Sequence, residues 1–188
     1  MRPAPQVPGS GSPRPAANVI RVDLDLLRLS FASDATPLIR VDFTDDAAWH
    51  RIITRVTETA DFAAPGEEPQ EYDPNIDPID HRSFDGISPM ELGAAFQVAG
   101  EAPGYALIAD ARSMSEAAAD ELTLIYVDLS IDDEEAADLF DSHMGNAFRV
   151  AAAEIASIEA NLSIANMDFS EFANVADPDG VYRTSLHG

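Results

Sequence analysis

The chain of 188 residues contains no cysteine and no lysine, and 34 Asp and Glu stand against 11 Arg, for a formal charge of −23. The missing thiols exclude disulfide frameworks, thiolate zinc sites, iron–sulfur clusters and cysteine nucleophiles. So dense a carboxylate field repels phosphate backbones and anionic membrane surfaces, and neither direct nucleic-acid binding nor a membrane partner is expected.

Residues 1–18, MRPAPQVPGSGSPRPAAN, are Pro-, Gly- and Ser-rich and cannot repay the entropy of ordering, so a disordered tail is expected there. From Val19 the alternation of Val22, Leu24 and Leu26 with Asp23 and Asp25 predicts a half-buried strand. Leu38–Phe43 repeats that alternation, with Pro37 admissible only at the first position or on an edge. Thr44 or Asp45 then caps a helix with Trp49, Ile52, Ile53 and Val56 at helical spacing. Prolines 65, 69, 74 and 78 predict a long loop over 61–87. Ser88, Pro89 and Glu91 open a helix carried by Met90, Leu92, Phe96 and Val98 and stopped by Gly100 and Pro103. Tyr105–Asp110 and Leu122–Asp128 are nearly continuous apolar runs, as central strands require.

Ile131–Asp138 is acidic and expected to be solvated, followed by Gly145 and a short strand over Phe148–Val150. Ala151–Ala160 is helical with Ile155 and Ile158 inward, and Asn161 suits a left-handed residue ending it. Asp168–Glu171 is a capping box for another helix, and Asp177-Pro-Asp-Gly180 a turn. The sum is an α/β fold leaning toward α+β: a tail over 1–18, then over 19–188 one domain with a mixed sheet of about five strands and packed helices. No apolar run reaches membrane-spanning length and the start lacks a signal-peptide core, so a cytoplasmic protein is expected.

Three strands end on or beside an aspartate: Asp42, Asp110 and Asp128. Converging carboxylates would bind a hard divalent cation, with Arg40 or Arg112 holding an anion. Against this, only eleven residues separate Asp110 from Leu122, which favours a hairpin with the two aspartates at opposite ends, each capping a turn. The acids from Glu71 to Asp80 lack EF-hand spacing, no Gly-x-Ser-x-Gly or phosphate loop occurs, and His50, His81, His143 and His187 sit in no activating pattern. No catalytic residue, cofactor or metal is assigned.

Leu38-Ile-Arg-Val-Asp-Phe-Thr-Asp-Asp-Ala-Ala-Trp49 and Asn161-Leu-Ser-Ile-Ala-Asn-Met-Asp-Phe-Ser-Glu-Phe-Ala173 resemble the motifs of an uncharacterised actinobacterial family, a domain of unknown function, over roughly residues 37–183. That resemblance implies no activity. In the second motif Asn161 and Asp168 serve as caps, Leu162, Ile164, Met167 and Phe169 as core, and Asn166 as a buried amide that satisfies a loop carbonyl; alternatively Asn161, Asn166 and Asp168 line a small polar pocket on the sheet edge. The function expected is a non-enzymatic interaction module, immunity-like or regulatory, presenting acids of 67–85 and 131–141 to a basic protein partner. The competing expectation is a metal-assisted or small-ligand enzyme on the strand-end aspartates.

Overall fold

The structure is a computed structural model that describes Leu27 and residues 34–64, 66–100 and 102–184. The tail expected over 1–18 and the strand expected from Val19 lie outside the described residues, save for Leu27, which is buried. In chain order the elements are β1 (Thr36–Arg40), α1 (Asp46–Val56), β2 (Ala60–Asp61), β3 (Glu71–Tyr72), β4 (Ile76–Ile79), α2 (Pro89–Ala99), β5 (Tyr105–Ala109), α3 (Ala111–Glu116), β6 (Thr123–Asp128), α4 (Glu134–Phe140), β7 (Ala147–Ala151), α5 (Ile155–Ser163), α6 (Phe169–Ala173) and β8 (Val181–Tyr182). They build one mixed α/β domain around a six-stranded sheet of order β4-β1-β5-β6-β7-β8, with β2 and β3 forming a separate pair. β1 runs parallel to both β4 and β5, whereas β5, β6 and β7 are successively antiparallel.

The continuous apolar runs follow from burial on both faces of this sheet. Leu38, Leu107 and Tyr126 point to one side and pack with Trp49, Ile52, Ile155, Ile158, Phe169 and Phe172 from α1, α5 and α6. Their chain neighbours Ile39, Ile108 and Val127 point to the other side and pack with Leu92, Ala95 and Phe96 from α2. Local signals start the helices as expected. The Asp45 carboxylate accepts from the Ala48 N–H at 2.9 Å. Ser88 and Glu91 close a capping box with Pro89 in the first turn, and Asp168 and Glu171 close another.

Three expectations need correction. Ile164, expected in the core, is 73% exposed just after α5. The stretch 61–87 is not all loop: it contains β2, β3, β4 and a single 3-10 turn over Arg82–Phe84. β4 reads Ile-Asp-Pro-Ile and is an edge strand, where the missing N–H of Pro78 costs the sheet nothing. Pro37 is tolerated within β1 because its pairing with β5 begins only at Leu38. Nor does Asn161 end α5. It lies inside the helix, its amide donating to the Ser157 carbonyl at 2.8 Å, and the left-handed residue is Ala165, at φ 51°.

One contact fixes how α2 sits. A Cβ on Gly93 would lie 2.9 Å from the Gly145 nitrogen, and one on Gly145 would lie 2.9 Å from the Pro89 carbonyl oxygen. Backbone therefore packs on backbone there, and Gly145 at φ 85° adds a conformation that favours glycine.

Candidate functional site

The carboxyl end of the parallel strands gathers several of the residues singled out by sequence. Asp42 follows β1 and Asp110 follows β5, and both line a pocket of about 490 Å³ with Thr44, Asp85 and Ser88. Each is engaged locally. Asp42 accepts from the Thr44 N–H at 2.8 Å in an Asx turn. Asp110 caps α3, accepting from the Ser113 N–H at 3.0 Å and hydroxyl at 2.9 Å, and its second oxygen pairs with the Arg149 guanidinium. Burial would raise the Asp110 carboxyl, but Arg149 and the Ser113 N–H outweigh it and hold the group below the usual carboxylate range.

Arg40 is committed to the same end. Its side chain is 3% exposed and reaches Asp46 at 2.7 Å and Asp80 at 3.2 Å. Its Nε donates to the Asp42 carbonyl at 2.9 Å, and its guanidinium carbon lies 4.7 Å from the Phe43 ring centre. It ties the end of β4, the β1–α1 turn and the start of α1 into one clamp, and it is not among the residues that line the pocket. Arg112 pairs with Glu116 along α3 at 2.7 Å.

Asp128 belongs to the opposite end of the sheet. It pairs with Tyr105, the first residue of β5, while Asp110 follows the last, so the strand separates them by about 16 Å. Asp128 is 1% exposed, and its carboxylate accepts from the Ser130 N–H at 2.9 Å and from the hydroxyls of Ser130 at 2.7 Å and Ser142 at 2.6 Å. The three strand-end aspartates thus do not converge, and each caps or braces a turn after its strand. Among the described residues no group of three or more histidines and acids is placed to hold a metal ion. Asn166 is exposed rather than buried and donates to the Asn161 side chain at 2.7 Å; Asp168 is exposed in its capping box. These residues line none of the described pockets.

The amino end of the parallel strands holds an arrangement that motif reading missed. A pocket of about 740 Å³ is bounded by Thr36 before Leu38 in β1, Asn75 before β4, Tyr105 opening β5, Tyr126 in β6, and Glu159 of α5, with Tyr72 at its side. Glu159 is 7% exposed. Both its oxygens face the Asn75 N–H, at 3.0 and 3.1 Å, and it forms no ion pair among the described residues. Burial pushes its carboxyl above the ordinary value, only partly offset by Asn75 and the neighbouring Tyr72 phenol. Tyr72 is pushed up to about 12 by burial and by Glu159. Tyr126 is fully buried, and its Oη is the one buried side-chain polar atom among the described residues with no hydrogen-bond partner. The neighbours that act on that phenol, Glu159, Thr36, Tyr105 and Tyr72, all line the pocket, although the Thr36 hydroxyl makes no hydrogen bond of ordinary geometry with it.

A readable signal did exist for Glu159. Ile155, Ile158, Glu159 and Leu162 fall at i, i+3, i+4 and i+7, so the acid interrupts the apolar stripe of its own helix. A family model now covers both ends of the sheet, matching residues 35–185 with the description "Domain of unknown function (DUF6924)". The chain belongs to the DUF6924 family. The resemblance drawn from the two motifs therefore holds at the level of an uncharacterised domain family. No curated protein and no solved structure matches the chain. The matched DUF6924 segment contains the clamp at Arg40 together with Thr36, Asn75, Tyr105, Tyr126 and Glu159.

Proposed function

We propose that this domain is a non-enzymatic, immunity-like or regulatory binding module that presents its acidic surface to a basic protein partner. The observation that supports the reading best is helix α4. None of its residues is buried, Asp133 caps it, and Glu134, Glu135 and Asp138 accompany Leu139 at 73% and Phe140 at 40% exposure. A helix that gives no side chain to its own core presents apolar area, for affinity, within a field that speeds encounter with cations. The acids of 67–85, mostly exposed, extend that field.

The reading is tested by NMR titration with a synthetic amphipathic helical peptide rich in Lys and Leu, at fixed ionic strength. The largest shifts are expected within 134–141, and Leu139→Ser with Phe140→Ser should weaken binding at least tenfold with the charge unchanged. Affinity that follows total charge alone, or that survives neutralising the 131–141 acids to Asn and Gln, overturns it.

A further inference from the structure

We propose that the pocket at the amino end of β1, β4 and β5 binds a small organic cation, a primary ammonium, with Glu159 as counter-ion and Tyr126 Oη as hydrogen-bond acceptor. This goes beyond the acidic-surface reading, since Leu139 and Phe140 line no part of the pocket. Two independent features carry it. Glu159 is a buried carboxylate whose protein partners in this pocket are a backbone N–H and a phenol, and no basic side chain stands among the described lining residues. A buried charge of this kind is costly unless a counter-charge arrives. Tyr126 independently leaves a fully buried hydroxyl unpartnered, and the polar groups that act on it electrostatically, Glu159, Thr36, Tyr105 and Tyr72, line the same pocket.

The chemistry of the wall selects among ligands. The carboxylates of Glu159 and Asp34 repel an anion. A neutral alkyl group would leave both polar groups unsatisfied. A divalent ion needs six or so oxygen ligands, and the lining supplies two carboxylates, Asp34 and Glu159, with no group of three acids or histidines among the described residues placed to hold one. An ammonium offers three N–H donors for carboxylate and phenol oxygens, and Ala35, Ala102 and Leu162 in the lining suit a short alkyl stem. The net charge of −23 raises the local concentration of any such cation.

The experiment is a thermal-shift titration of the full chain, with matching NMR spectra, using n-butylammonium chloride, n-butanol and potassium chloride at constant ionic strength. A saturable rise in Tm with n-butylammonium alone is expected. Glu159→Gln should weaken it at least tenfold and Tyr126→Phe several-fold, while Glu134→Gln, on α4, leaves it unchanged. An equal response to n-butanol, or a saturable response to potassium ion, overturns the proposal. So does full affinity in Tyr126→Phe, which tests the site even if Glu159→Gln folds poorly, and so does equal weakening by Glu134→Gln, which would mark a general charge effect.

Discussion

At the carboxyl end of the parallel strands Arg40 reaches Asp46 and Asp80 while Asp110 meets Arg149; at the amino end, among the described residues, Glu159 lies buried with no basic partner and Tyr126 Oη has no hydrogen-bond partner. Both ends bury charge next to aromatic rings, so composition does not distinguish them. What differs is satisfaction. Where each donor meets an acceptor the polar groups hold turns in place, and where they do not, free energy is left that a ligand can recover.

The contrast predicts opposite responses to substitution. The largest effect belongs to Arg40→Met, which frees Asp46, Asp80 and the Asp42 carbonyl at once and should lower stability by about 3 kcal/mol, read as a lower urea midpoint with an unchanged slope. A midpoint within error of wild type would show that the clamp is not structural. Asp110→Asn should cost about 2 kcal/mol through the weakened cap and the lost pair with Arg149.

Acid should divide the two ends further. Asp110 sits below its usual value of 3.8, and Asp179 is held to about 2 by Arg183, so their contributions are fully present above pH 3.8 and are lost as pH falls through the folded-state values. Glu159 is raised above 4.5, so its ionisation opposes folding above that pH and the penalty vanishes below it. Glu159→Gln should therefore raise the urea midpoint by an amount that grows from pH 4 to pH 8, about 1 kcal/mol at the upper end. A gain that shrinks over that range contradicts the sign. The smallest expected effect is Tyr126→Phe, which deletes an unpartnered buried hydroxyl and should leave Tm unchanged or raise stability by about 0.5 kcal/mol, where a satisfied tyrosine would lose stability.

Sequence reading reached whatever short-range chemistry decides. The Ser88–Glu91 and Asp168–Glu171 boxes, the burial of Trp49 and the antiparallel β5–β6 pair all follow from signals within a dozen residues. β4 escaped because Ile-Asp-Pro-Ile has weak strand propensity and is held by its partner β1, distant in the chain. Asn161 misled because a residue able to adopt the left-handed conformation need not do so: Leu162 is buried and the helix runs two residues further, to Ser163. Of the amino-end pocket only Glu159, an acid in an apolar stripe, was marked in the sequence. Its closeness to Asn75 and Tyr126 arises from the parallel connections among β1, β4 and β5, which place β4 and the β5–β6 pair on either side of β1.

Gly93 and Gly145 bear on the outer surface as well as on the core. Side chains in contact can trade rotamers when one of them changes, but two backbones 2.9 Å from a would-be methyl have no such slack. This contact is a rigid spacer placed a few residues after α4, between the turn that follows that helix and the first turn of α2. A methyl gained at either position would force the segment that follows the acidic helix away from the first turn of α2 while leaving every acid in the chain.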